Sequence, residues 1–254
     1  MKYYTLPKSK EEFLNEEHWL YAMDVHASNF SEEELDRHTN ISSSGIRITR
    51  HKGDYDKINR NLNSRCEIVA YPRVPWQGHF TIDFEVELVN SKCTSTFFQL
   101  MGKNTQNKTK PLLTLDVHNN TLNARDIDFP KGAGANGWFI RHPIAPYTKG
   151  LYKFNIEIKT STGEEGLIRV YMNDVLVYEK SGQNYWSRGE GHLQVQYGCY
   201  DTEGSREEQQ VVYKKLLWRD FDEEEEGMDE IIYILDESIV GWSYNSGLWR
   251  FVLK

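Results

Sequence analysis

The segment from His192 to Tyr200 alternates two kinds of side chain. Successive residues of a strand point to opposite faces, so Leu193, Val195, Tyr197 and Cys199 share one face, and Gln194, Gln196, Gly198 and Tyr200 share the other. The first set is core. The second is a row of amides ending in a phenol, a surface suited to hydrogen-bonding a polar ligand. Gly198 leaves a gap between Gln196 and Tyr200 where such a ligand can approach the backbone. Two further segments repeat the arrangement: Arg65 and Glu67 share a face within Ser64 to Tyr71, and Gln99 shares one with Met101 within Thr96 to Met101.

Other reactive constellations are missing or have plainer explanations. There is no Gly-rich phosphate loop, no HExxH helix and no nucleophile elbow. Asp83, Glu85 and Glu87 alternate along one strand face and superficially suggest the paired acids of a glycosidase, but their spacing suits an outer polar face better. The acidic run Asp222 to Glu226 reads as a solvated linker, not a metal site. Cys66, Cys93 and Cys199 are odd in number and far apart, so they build neither a disulfide framework nor a zinc site, and no cofactor is expected.

The elements that must position the polar row are strands. Phe80, Ile82, Phe84, Val86 and Leu88 alternate with Thr81, Asp83, Glu85 and Glu87, and Tyr152, Phe154, Ile156 and Ile158 alternate with Lys153, Asn155, Glu157 and Lys159. Leu167 to Met172 and Val175 to Glu179 flank Asn173-Asp174, the chemistry of a two-residue hairpin turn. Further strands are expected at Gly45 to Arg50, Leu112 to His118 and Gln210 to Trp218. Helix is confined to the N-terminus, around Lys10 to Trp19 and Ser31 to His38, where Ser31 and Glu34 form a capping-box pattern. Phe129 to Lys149 reads as a long loop of the lid or binding type.

Many strands without intervening helices predict an all-β antiparallel sandwich or barrel. We expect one domain over residues 1–254, with its core at about 40–220 and a C-terminal extension at 221–254. Aromatic residues are 13% of the chain, so the core is aromatic-rich and there are flat faces that could stack on sugar rings. A net charge of −8 without a clustered basic run argues against nucleic acid as a partner. No stretch reaches transmembrane length, and no apolar segment precedes the first charges to mark a secretory signal. Four glycosylation triplets, beginning at Asn29, Asn40, Asn107 and Asn119, favour an exported protein.

SRCEI (Ser64 to Ile68), GHFTIDFEVEL (Gly78 to Leu88), FFQLMG (Phe97 to Gly102), GLIRVYMNDVLVYEKSG (Gly166 to Gly182) and QYGCY (Gln196 to Tyr200) occur in that order. Together they resemble the polysaccharide lyases with a concanavalin A-like jelly roll, a group that includes alginate, glucuronan and heparin lyases. The resemblance covers roughly residues 45–220 and implies a jelly-roll sandwich acting on an acidic polysaccharide or oligosaccharide. It also implies three strand motifs: Arg-x-Glu, met by Arg65 and Glu67; Gln-x-His, met by Gln99 but with Met101 at the histidine; and Lys-x-Gly-x-Tyr, met by Gly198 and Tyr200 but with Gln196 at the lysine.

The activity so implied is β-elimination on a uronic acid chain. The sugar's carboxylate must be neutralised so that its α-proton becomes acidic, a base must take that proton, and an acid must protonate the leaving oxygen. By the resemblance Gln99 and Arg65 serve the carboxylate, Glu67 orients Arg65, and Tyr200 is the acid and also a candidate base. Free phenols ionise near pH 10, so a tyrosine base needs positive charge beside it. Among the histidines His118 is the expected substitute for the missing imidazole, because Thr114, Asp116 and His118 share a face; the plainer alternative is an exposed strand-end histidine. Arg141 and His142 are candidate substrate-binding residues, as are Gln194 and Gln196, and Arg73, Lys103, Lys110 and Arg125 could add charge to the same groove. Two other readings stay open: a non-catalytic carbohydrate-binding module on the same fold, to which Met101 and Gln196 point, and a structural or interaction protein.

Overall fold

The computed structural model describes residues 2–15, 19–22, 25–27, 31–51, 64–70, 74–90, 95–104, 109–128, 138–186, 191–201, 207–221, 233–235, 238–245 and 248–253. In chain order the elements are β1 (Lys2–Thr5), α1 (Lys10–Asn15), β2 (Trp19–Ala22), β3 (Val25–Ala27), α2 (Glu32–His38), β4 (Thr39–Ser42), β5 (Gly45–Arg50), β6 (Ser64–Val69), β7 (Val74–Pro75), β8 (His79–Asn90), β9 (Ser95–Asn104) and β10 (Thr109–His118). There follow β11 (Thr121–Asp128), β12 (Trp138–Pro146), β13 (Gly150–Lys159), β14 (Leu167–Met172), β15 (Val175–Ser181), β16 (Gly191–Asp201), β17 (Gln209–Asp220), β18 (Tyr233–Leu235), β19 (Ser238–Asn245) and β20 (Leu248–Leu253). No described helix is long and apolar enough to cross a membrane.

The chain divides into two compact units, Met1–Phe221 and Asp222–Lys254. The second is a three-stranded antiparallel meander, β18-β19-β20. The first is an antiparallel jelly-roll sandwich of two sheets. One runs β15-β14-β13-β8-β17-β5-β4, with β1 also on β17; the other runs β12-β11-β10-β9-β16-β6-β2-β3, with β7 also on β16.

Alternation decides which face of each sheet is core. Phe80, Ile82, Phe84, Val86 and Leu88 of β8 are all buried, and opposite them Phe98 and Leu100 of β9 and Val195, Tyr197 and Cys199 of β16 are buried too. Phe84 stacks on Phe98 of the other sheet with ring centroids 4.7 Å apart and on Phe154 at 5.1 Å. The first contact joins the two layers, and the second lies within one sheet. The acidic face of β8 turns outward, where Lys153 stands opposite Glu85 and Asn155 Nδ2 donates to Asp83 Oδ1 at 2.5 Å.

Turn and cap chemistry lie where the residues require them. Asn173 and Asp174 adopt φ of 50° and 65°, closing the β14–β15 hairpin. Ser31 Oγ accepts from the Glu34 backbone N–H at 3.2 Å while Glu34 Oε2 accepts from the Ser31 N–H at 2.8 Å, fixing the start of α2. The first helix is shorter than expected: α1 ends at Asn15, and Trp19 begins β2, a strand paired with β6. Within the segment read as a long loop from Phe129 to Lys149, Trp138–Pro146 is β12, whose Pro143 and Pro146 are tolerated because the strand forms the edge of its sheet, and residues 129–137 lie outside the described residues.

Phe84→Ala removes the ring that joins the layers and is expected to cost about 3–5 kcal/mol. Equilibrium urea unfolding followed by tryptophan fluorescence checks the value.

Candidate active site

Gln194, Gln196, Gly198 and Tyr200 lie on the face of β16 turned away from the other sheet. Register brings partners to each. Tyr200 stands opposite Arg65 on β6 and Thr96 on β9; Gln196 stands opposite Gln99, and Gln194 opposite Met101. Thr96 reaches this face through a bulge. Phe97 and Phe98 both enter the core, and two consecutive inward side chains break the alternation of β9 and return Thr96 to the outer side. The adjacent Phe97-Phe98 was the signal available in the sequence.

The polar floor is nearly withdrawn from solvent: Gln99, Gln194 and Gln196 are at most 5% exposed, and Glu67, Thr96, Thr114 and Asp116 are fully buried. Gln99 Nε2 donates to Glu67 Oε1 at 2.6 Å and lies 3.4 Å from Gln196 Oε1. The first bond spans β16 directly above Gly198, which is Glu67's register partner. The gap at Gly198 is therefore filled by its neighbours' side chains and is no approach for a ligand. The glycine itself is required by the backbone: at φ +148° a Cβ would sit 2.3 Å from the Cys66 carbonyl oxygen.

Arg65 organises the other end of the row. Its guanidinium lies 4.2 Å from the Tyr200 ring centroid, a cation–π geometry, with Nη1 3.8 Å from Glu67 Oε2. Burial pushes the Glu67 carboxyl above its ordinary range, while Arg65 and the Gln99 amide pull it back.

On the opposite flank Thr114 pairs with Gln99 and with Arg125, and Arg125 pairs with Arg141. Arg141 donates from Nε and Nη2 to Asp116 Oδ2 at 3.2 and 3.1 Å, and Asn123 Nδ2 donates to Asp116 Oδ1 at 3.0 Å. Lys103 is on the same face, opposite His192, a histidine that sequence reasoning passed over although it continues the Gln194 and Gln196 alternation.

The expected residues do not all converge. His142 belongs to the inner side of β12: its Nε2 is 3.0 Å from Asp126 Oδ1 and its ring 4.9 Å from that of Tyr178 on the other sheet. It is thus separated by the sheet from the groove it was expected to line. Lys110 pairs with Gly102, on the inner parity. Arg73 lies outside the described residues. His118 shares the face with Asp116 but sits at the strand end, its Nε2 3.1 Å from Asn119 Nδ2. Tyr200 meets Asp116 through Thr96, so strand spacing and rise put the Cα atoms of His118 and Tyr200 roughly 12 Å apart.

Arginine, tyrosine and amide side chains thus line the outer face of one sheet of a jelly-roll sandwich. The family model for polysaccharide lyase matches residues 11–216, and the chain belongs to that family. No curated protein sequence matches it. Among solved structures it is similar to an endo-β-1,4-glucuronan lyase from the fungus Trichoderma reesei, with a TM-score of 0.59 and 11% identity over 86% of this chain and 95% of that one. It is similar as well to the alginate lyase A1-II′, a member of polysaccharide lyase family 7, with a TM-score of 0.60 and 13% identity over 80% and 93% of the two chains. An alginate lyase from Pseudomonas aeruginosa gives a TM-score of 0.56 and 12% identity over 80% and 98%.

The buried carboxyl generates a prediction. With its folded pKa above the ordinary value of 4.5, Glu67 contributes stability that is fully present below that value and lost as pH rises through the folded pKa. Glu67→Gln, which can still accept from Gln99, is expected to raise Tm at pH 7 and to flatten that decline. Thermal melts of both proteins across pH 4 to 8 check it, and a variant less stable than the wild type at neutral pH refutes it.

Proposed function

We propose that the protein cleaves a uronate-containing polysaccharide by β-elimination on the outer face of the nine-stranded sheet. The observation that carries this reading is the contact of Arg65 with Tyr200 beside the bonded pair Gln99 and Glu67, in a chain of the polysaccharide lyase family. A similar solved structure supports it, that of the alginate lyase A1-II′ in complex with substrate (GGMG).

The chemistry follows from these groups. Arg65 offers a guanidinium edge to the sugar carboxylate, and the Gln99 amide joins it by giving up its long 3.4 Å bond to Gln196, making the C5 proton more acidic. Tyr200 as phenolate takes that proton; the C–H electron pair forms the C4–C5 double bond, and the C4–O bond breaks. The phenol so formed returns the proton to the leaving oxygen. The guanidinium lies over the ring of that phenol, 4.2 Å from its centroid. Arg65 therefore supplies the positive charge for which His118 was the candidate, and Glu67 keeps Arg65 and Gln99 in place.

A binding-only reading is favoured by one observation, the neutral Met101 and Gln196 at the positions of the family's histidine and lysine. Incubation with alginate, glucuronan, heparin and related uronates, followed at the ultraviolet absorbance of the unsaturated product, separates the two. We expect turnover on one polymer, reduced by at least about a hundredfold in Tyr200→Phe, as for loss of a general acid or base. Bound polymer left unchanged, with Tyr200→Phe binding as tightly as wild type, would favour the module.

His118→Ala gives an independent check of the charge assignment. Its effect on turnover is expected to be far smaller than that of Arg65→Ala, and a loss of about a hundredfold or more would return the role to His118.

A further inference from the structure

Arg125 stands apart from the other cations of the outer face. Arg141, its register partner, is held by Asp116 through two hydrogen bonds, and Asp116's other oxygen is occupied by Asn123. Arg65 is engaged with Glu67 and the Tyr200 ring. Arg125 makes no hydrogen bond or ion pair among the described residues, and its Nε is buried without a partner. On its other side Thr114 is fully buried, and its Oγ1 likewise has no partner. The one aromatic contact of the guanidinium, to Phe139 at 5.6 Å from the ring centroid, is weak at that range, and the Phe139 ring is itself 50% exposed.

Holding a guanidinium in such a place is unfavourable. Burial opposes its charge most, Asp116 favours it, the neighbouring Arg141 opposes it and Tyr200 favours it; the balance is unfavourable, and arginine does not escape by losing its proton. Asp116 offsets only part of this, because it is already the partner of Arg141. Two arginines against one carboxylate leave a local excess of positive charge, and an exposed ring forms the adjacent wall. Those are the elements of a site for a sugar that carries an anion.

We infer that Arg125 binds a carboxylate of a second sugar of the bound chain, with Phe139 packing on its ring. The inference rests on the proposed function and deepens it. The register Gln99, Thr114, Arg125 sets the subsite two strands, roughly 10 Å, from the sugar held at Gln99. A chain lying across the strands then meets a cation on each flank of the neutral row Gln196 and Gln99. Arg125 is a binding residue here, not a group in proton transfer.

Calorimetric titration tests the subsite with alginate and glucuronan tetramers and with the same tetramers reduced at every carboxyl to the alcohol. Arg125→Gln is expected to weaken binding of the acidic tetramer by about tenfold to a hundredfold, the worth of a lost charge-assisted hydrogen bond. The reduced tetramer is expected to bind wild type and variant alike, and turnover to show a raised KM with kcat little changed. Arg125→Lys, which keeps the charge, should recover part of the loss, and Phe139→Ala, on an exposed side chain, should weaken acidic and reduced tetramers equally. Wild-type binding of an acidic tetramer that Arg125→Gln leaves intact overturns the subsite alone. Equal loss of acidic and reduced tetramers in Arg125→Gln also overturns it, assigning the residue a structural role. Wild type that neither binds nor cleaves any acidic tetramer overturns the proposed function and the subsite with it.

Discussion

Glu67 is a carboxylate with no exposed surface in the middle of a β-sheet, and a side chain of that kind persists only where its neighbours satisfy it. Its two oxygens face different partners. Oε1 accepts from Gln99 at 2.6 Å, and Oε2 faces Arg65 at 3.8 Å. Because Glu67 and Gln99 sit on strands that flank β16, their bond can form only where β16 carries no side chain between them. Gly198 occupies that place. One buried charge thus fixes the glycine, the orientation of the Gln99 amide and the position of the arginine that covers Tyr200.

The inner side of the same strands holds the floor rigid. Immediately after Tyr200, Asp201 is fully buried 3.6 Å from Arg50 of the opposite sheet. Gln209 accepts from Arg50 Nε at 3.3 Å and from Ser95 Oγ at 3.0 Å, and Ser95 directly precedes Thr96. Removing one member of a buried charged network strands the rest, so this cluster resists piecemeal loosening. Tyr200 and Thr96 are thereby backed by groups tied across the sandwich, while the Phe84 and Phe98 stack holds the layers a few residues away.

Much of this was legible because single-faced burial imposes a period of two. The β8, β13 and β16 alternations gave both the sandwich and the polar row, and Asn173-Asp174 gave its hairpin. Strand β11 was missed although Asn119-Asn120 has the same turn chemistry, with φ of 50° and 58°. Asp126, on the inward face of β11, is buried against Lys180 and His142, so a charge stands where the pattern should be apolar. Strand β12 was hidden by its prolines and by an inward His142. The bulge at Phe97 could not be read from alternation, since alternation is what it interrupts. Arg125 could be named from composition, but its isolation depends on Asp116 having chosen Arg141, a matter of side-chain geometry.

The two departures from the family's strand motifs gain meaning from this arrangement. Met101 and Gln196 make the middle of the outer face neutral, opposite Gln194 and Gln99 respectively. Positive charge lies instead with Arg65 at one side and with Arg125 and Arg141 at the other. His118 lies two strands from Tyr200 and at the strand end, whereas Arg65 is in direct contact with the Tyr200 ring. A motif with neutral substitutions at two polar positions therefore retains an ionisable group with a cation in contact, provided Glu67 holds Arg65 where it is.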